Sequence, residues 1–245
     1  NVVAYAEGQG AAPTEQEPDI FAFMGSDNGF LRLVSVPEVK SIDELKGKQV
    51  GVDALTTGYA FVLRELLERG GLDPAEFDYV QAGGVMKRFE SLMDKEFAAT
   101  LLVSPFEAAA ERENFNVLAN GSEALGAYQG VVGAVRSDFA KANAKQLVGY
   151  IRAYKKALDW LYDSGNKDEA IAILLEAVPN MQEPVAQASY KVLLDDQLGF
   201  FKTPEIDLEG VEAVLQLRSK YAEPKVSLKE PAAYIDTTFL KQALN

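Results

Sequence analysis

Between Lys40 and Val135 the chain alternates short apolar runs with stretches of helical spacing. Gln49–Val52, Phe77–Val80, Thr100–Val103, Val117–Ala119 and Gly130–Val135 are compact apolar runs bounded by turn residues, which predicts buried strands. Between them, Tyr59, Leu63, Leu66 and Leu67 share one face of a helix that runs to Arg69 and is closed by Gly70-Gly71. A second helix spans Val85 to about Lys95 and presents Met86, Phe89 and Met93. A third starts at Ser104-Pro105, with proline in the first turn, and runs to about Arg112. Strand and helix in alternation predict an α/β fold with a parallel sheet covered on both faces.

Upstream, Val2–Tyr5 reads as part of a helix ended at Gly8 or Gly10, and Gly10–Asp19, with Pro13 and Pro18, as a surface loop. Phe21–Met24 is a strand, Gly25–Gly29 a turn, and Leu31–Val36 another strand broken by Pro37. Ser41-Ile42-Asp43-Glu44 has the form of a capping box. The serine is expected to bond the Glu44 N–H and open a short helix ending at Gly47. After Ser137 the pattern becomes helical. Leu147, Ile151, Tyr154, Leu158 and Leu161 mark a long helix ended at Ser164-Gly165-Asn166, and its Trp160 is read as core. Further helices are expected over Lys167–Ala177, Pro184–Asp196, Leu208–Lys220 and Asp236–Ala243.

In sheets of this kind ligands sit outside the carboxyl ends of the strands. Thr56-Thr57, Gly83-Gly84 and Ser104-Pro105 all fall at that edge. Helix-start N–H groups can hold an anion or a polar head there without a cation. For Thr56 or Thr57 alone, simple capping of the helix is the better reading; three polar turns on one rim shift the balance. No arginine or lysine stands in the three turns, and Lys87 and Arg88 are read as solvated.

The chain has 245 residues, with 24 basic against 37 acidic side chains and a formal net charge of −13. That length allows one large or two modest domains, and that charge argues against nucleic acid and anionic membranes as partners. Cysteine and histidine are both absent. This excludes disulfides and thiolate chemistry and removes the commonest general base and transition-metal ligand. No run approaches the length of a membrane span. No leader is visible, and the chain opens at Asn1, as a processed or incomplete chain would.

The stretches Lys40–Val52, Thr56-Thr57-Gly58-Tyr59, Leu101–Pro105, Ser137-Asp138-Phe139-Ala140 and Tyr234-Ile235-Asp236 give the chain a resemblance to a known family. In order and spacing it resembles the periplasmic binding proteins of ABC importers for nitrate, taurine and aliphatic sulfonates, with their relatives that bind thiamin-pyrimidine precursors. The likeness covers nearly the whole chain. It implies a two-lobed type II periplasmic-binding-protein fold of mostly parallel sheets flanked by helices. The ligand cleft then lies between lobes joined by two crossing segments. One lobe would comprise residues 1–36 plus 136–245 and the other residues 37–135. The family's opening strand–helix–strand of the first lobe is expected to be missing here.

By the same resemblance, Thr56, Thr57, Gly58 and Tyr59 sit where the family grips the ligand's head, beside Gly83 and Gly84. Ser104 and Phe106 line the pocket. Tyr128 and Gln129 lie on a crossing segment, where hinge packing and a backbone bond weigh equally with ligand contact. Asp27 and Asn28 are rim candidates for which a solvated turn is the better reading. The implied function is a non-enzymatic, extracytoplasmic solute-binding protein, periplasmic or tethered to the membrane of a Gram-positive cell. It would act as a monomer, with an ABC permease as partner and no cofactor or metal. It would capture a small organic anion or polar or aromatic molecule (a sulfonate, carboxylate or pyrimidine) by lobe closure. An enzyme on the same fold, such as a thiamin-pyrimidine synthase, is disfavoured by the absence of histidine. The effector domain of a transcription regulator would need a helix-turn-helix that this sequence does not show.

Overall fold

A computed structural model describes residues 2–10 and 19–245. The loop expected over Gly10–Asp19, with Pro13 and Pro18, falls on residues 11–18 and lies outside the described residues. In chain order the elements are helix α1 (Val2–Ala6), strands β1 (Ile20–Gly25), β2 (Arg32–Ser35) and β3 (Val50–Val52), helix α2 (Gly58–Arg69), strand β4 (Tyr79–Gln81), helix α3 (Val85–Met93), strand β5 (Ala99–Leu102), helix α4 (Phe106–Arg112), strand β6 (Asn116–Asn120), helix α5 (Gly121–Leu125) and strand β7 (Val132–Arg136). Helices α6 (Ser137–Ala142), α7 (Ala144–Tyr162), α8 (Lys167–Ala177), α9 (Glu183–Leu193), α10 (Leu208–Tyr221) and α11 (Thr238–Leu244) follow.

The chain divides into two compact units. Unit 1 comprises residues 1–29, 127–215 and 227–245, and unit 2 comprises residues 30–126 and 216–226. The boundaries expected at 36/37 and 135/136 therefore move, and a second segment joins unit 2. The physical reason is visible at β2. Its hydrogen bonds go to β5 on one side and β6 on the other, antiparallel to both, so it belongs to the sheet of unit 2.

The sheet of unit 2 has five strands in the order β4-β3-β5-β2-β6. Strand β3 pairs in parallel with β4 and β5, while β2 runs against β5 and β6, so all but β2 share one direction. Leu33, Val34, Val50, Val52, Leu101 and Leu102 are buried on the strands, with Phe61, Leu63, Leu66 and Leu67 buried on α2 and Leu92 on α3. Burial on both faces of the strands is what a helix-covered sheet requires. Gly51 is fixed by its neighbour, since a Cβ there would stand 2.4 Å from the Phe97 ring.

The capping box at Ser41–Glu44 is not formed as expected. Asp43–Leu45 make a single 3-10 turn whose N-cap is Ile42 and has no side-chain bond. The Glu44 carboxylate does reach back, but to the Lys40 N–H at 2.7 Å. One turn is too short to hold the geometry of a helical box, and Gly47, at φ +73°, ends it.

The second segment of unit 2 is held to α2 by a polar cluster. Glu65 accepts from Arg69 Nε at 2.8 Å and from Lys220 Nζ and the Tyr221 hydroxyl at 2.9 Å each. Burial disfavours the Glu65 charge, but the bonds from Lys220, Arg69 and Tyr221 more than offset it and bring its pKa down to about 2. Arg64 lies over the Tyr79 ring at 5.0 Å and donates to the Tyr221 carbonyl.

In unit 1, β1 and β7 form an antiparallel pair. The long α7 buries Leu147, Ile151 and Leu158, as its spacing predicts, and two of these join Phe23, Met24, Ala140, Leu240 and Ala243 in a core under that pair. Trp160 is half-buried. Val3, Leu215 and Tyr234 form a smaller core around α1.

Candidate functional site

The carboxyl ends of β3, β4 and β5 lie along one edge of the unit 2 sheet. The register places Arg32, at the start of β2, opposite both Leu102 and Asn120, so the start of β2 and the end of β6 share that edge. The turns Thr56–Tyr59, Gly83-Gly84 and Ser104–Phe106 are thus neighbours on one rim.

Thr57 caps α2. Its hydroxyl accepts from the Ala60 N–H at 3.2 Å and donates to Asp53 Oδ1 at 2.5 Å. Both directions of that hydroxyl are engaged inside the turn. The carbonyl of Thr56 accepts from Arg218 at 2.9 Å, which ties the turn to the second segment of the unit. Gly58 and Tyr59 are the first two helical residues and are half-buried. Their N–H groups stand where a helix has no internal partner to offer. Gly83 adopts φ +82°, a conformation that suits glycine, and Gly84 caps α3.

Behind these turns lies Arg88, and here the structure overturns the sequence reading. Lys87 is exposed as expected, but Arg88 is only 2% exposed. Its Nη1 donates to the Gly83 carbonyl at 2.7 Å, and its Nε and Nη2 to the Leu101 carbonyl at 3.4 and 3.3 Å. One guanidinium therefore joins the ends of β4 and β5 across the end of β3. Burial lowers its pKa, and the nearby Asp53 and Tyr59 oppose that. Arginine nonetheless remains charged. The buried face of α3 is Arg88, Ser91 and Leu92, whereas Met86, read as facing inward, is 59% exposed. The apolar periodicity misled because the inward face carries a cation and a serine.

At the third turn Ser104 Oγ donates to Glu107 Oε1, and the Phe106 ring meets Phe89 at 5.3 Å between centroids. Glu107 is buried, and burial raises its pKa, while the Ser104 bond, the backbone N–H groups of Glu107 and Ala108 and the charge of Arg32 oppose the rise. Arg32 Nη1 donates to Asn120 Oδ1 at 2.8 Å and to the Leu31 carbonyl at 3.1 Å. Arg32, Asp53, Glu107 and Asn120 were not among the sequence candidates, and Arg88 was misplaced in solvent. For Arg88 and Glu107 the available signal was a charged residue at the i, i+3 or i+4 spacing of a buried helix face.

The remaining candidates lie in unit 1. Asp27, Asn28, Tyr128 and Gln129 are all buried, which corrects the solvated turn expected at Asp27 and Asn28. Asp27 Oδ1 accepts from the Gly29 N–H at 2.8 Å and the Val131 N–H at 3.1 Å. Gln129 Nε2 donates to the Asp27 carbonyl at 3.2 Å and the Val131 carbonyl at 3.0 Å, and its Oε1 accepts from the Asp207 N–H at 2.9 Å. Gly130 has no room for a side chain, since a Cβ would meet the Gly29 nitrogen at 2.2 Å. The Asp27 and Gln129 side chains serve the backbone around them, while Asn28 Oδ1 is buried without a hydrogen bond among the described residues.

Among the described residues no group of acidic side chains is placed to hold a metal ion, and no helix is long and apolar enough to cross a membrane.

Residues 23–167 match the family model described as NMT1/THI5 like. No curated protein matches the sequence. Among solved structures, the chain is similar to the periplasmic aliphatic sulphonate binding protein SsuA from Escherichia coli, at 18% identity and a TM-score of 0.69, covering 96% of this chain and 72% of that one. It is similar to the periplasmic nitrate-binding protein NrtA from Synechocystis PCC 6803, at 12% identity and a TM-score of 0.70, covering 94% and 68%. The desulfurization enzyme DSZB shares the fold at 13% identity and a TM-score of 0.68, covering 99% and 83%.

Proposed function

This chain belongs to the NMT1/THI5-like family, and from that premise we propose that it is the solute-binding protein of an ABC importer, acting outside the cytoplasm. The observation that carries the reading is the rim of unit 2. Three polar turns, two of them opening the helices α2 and α3, meet at the carboxyl ends of β3, β4 and β5. Helix-start N–H groups, a buried guanidinium beneath them and the paired rings of Phe89 and Phe106 suit a small organic anion or a polar aromatic molecule. A sulfonate, a carboxylate and a pyrimidine all fit that description. Sulphonate- and nitrate-binding proteins of the same fold support the class.

The captured molecule would then be handed to a membrane permease, which distinguishes loaded from empty protein by a ligand-dependent shift of population. The fold alone also accommodates the desulfurization enzyme. Without histidine or cysteine, catalysis here would have to rest on carboxylates, lysines, tyrosines or hydroxyls.

Native mass spectrometry of gently purified protein tests the reading, with a released small molecule as the expected result. An empty spectrum, together with a panel of sulfonates, carboxylates and pyrimidines that leaves the melting temperature unmoved, would overturn it.

A further inference from the structure

Ser104 and Glu107 stand one helical turn apart where β5 passes into α4. The single hydroxyl proton of Ser104 is directed into Glu107 Oε1. A hydroxyl so committed has only acceptor capacity left to offer. Glu107 Oε2 has no hydrogen-bond partner, although the residue is 3% exposed. A buried carboxyl oxygen without a partner is costly to the empty protein and gains in proportion when a donor arrives. Ser104 is half-buried, so the pair reaches the rim through its hydroxyl.

The pair contrasts with Thr57. There too a carboxylate, Asp53, takes the hydroxyl proton, but the acceptor side is occupied by the Ala60 N–H. Among the described residues no N–H donates to the Ser104 hydroxyl, which leaves its acceptor side to a ligand. We propose that the Ser104–Glu107 pair is a specificity-determining acceptor site, taking an N–H group of the captured molecule, so that this rim selects an amino-bearing ligand over its desamino counterpart. The inference rests on the capture reading and narrows its ligand class. The amino group is then read at the β5 turn.

Calorimetry and thermal shift on the full chain test it with two matched pairs of probes, taurine against ethanesulfonate and 4-aminopyrimidine against pyrimidine. Wild type is expected to prefer the amino member of at least one pair by about tenfold or more, as charge-assisted acceptors discriminate. Glu107→Gln keeps the shape and the acceptor for Ser104 but turns the open oxygen into a donor. The preference should then fall to about unity. Ser104→Ala should reduce it as well, and carries the test if Glu107→Gln does not fold. A purely structural role would lower stability without moving the ratio. A ratio unchanged in both folded variants, or a wild type that binds these probes but shows no preference within either pair, overturns the assignment and leaves capture standing. If neither these probes nor the wider panel stabilises wild type, capture itself fails, and this inference falls with it.

Discussion

The polar cluster of unit 1 and the rim of unit 2 are built from similar side chains and differ in where their hydrogen bonds go. Around Asp27 and Gln129, carboxylate and carboxamide are engaged by backbone groups, and glycine at 130 lets the Gly29 backbone approach. On the rim, Arg88 and Arg32 also serve carbonyls and amides, yet Glu107 takes the Ser104 proton on one oxygen and has no hydrogen-bond partner for the other among the described residues. A polar residue in a buried turn is evidence of a site only when its hydrogen-bonding capacity exceeds what the fold consumes.

The strongest challenge to this contrast is Asp27→Ala. Removing the carboxylate strips one buried and one partly buried backbone N–H group of their acceptor, which should cost about 2 kcal/mol of stability in urea or thermal unfolding. Asp27→Asn keeps an acceptor oxygen and should cost clearly less. The Asp27 pKa is raised by burial, with the bonds from Val131, Ser26 and Gly29 opposing, so a neutral replacement suits the site. An alanine variant as stable as wild type would put Asp27 on the same footing as the rim residues.

A smaller effect is expected on the rim itself. Thr57→Ala removes the cap of α2 and the donor to Asp53, a loss of about 1 kcal/mol in stability. From sequence alone the same substitution is expected to weaken ligand binding. The geometry shifts that expectation to the fold, because both directions of the hydroxyl are already taken. Unfolding measured beside ligand calorimetry separates the two. Unchanged stability with weakened binding would return Thr57 to the ligand.

What the sequence disclosed follows the same division. The long stripe of α7, the strand-and-helix alternation from β3 to β6 and the three polar turns were legible, because apolar periodicity and turn residues are local signals, whereas α5 and the antiparallel pairing of β7 with β1 were not foreseen. The place of β2 was not, because pairing with β5 and β6 is decided by partners far away in the chain. Arg88 and Glu107 were misjudged or passed over because charge usually signals solvent. Only the strand ends around them show that a guanidinium can bridge carbonyls there and that a carboxylate can hold a serine proton.

The smallest expected effect tests whether charge or burial governs each unit as the solution is acidified. Glu65 in unit 2 has its pKa held down to about 2. Its contribution to stability is therefore complete above the ordinary carboxylate value of about 4.5. It is lost as pH falls from there through about 2. Asp27 in unit 1 has the opposite sign. Its raised pKa means the folded state holds the proton more tightly than the unfolded chain, so its ionisation lowers stability as pH rises above the ordinary aspartate range. The cations facing Glu65 are half-exposed, with Lys220 at 44% and Arg69 at 49% of side-chain surface. Solvent screening then keeps the Glu65 effect below about 1 kcal/mol. Urea unfolding of wild type and Glu65→Gln between pH 2 and pH 6 should show curves that diverge toward the upper end and meet near the lower end. Parallel curves would mean that Glu65 is ordinary in solution, and that the polar cluster joining α2 to the end of α10 contributes by packing rather than by charge.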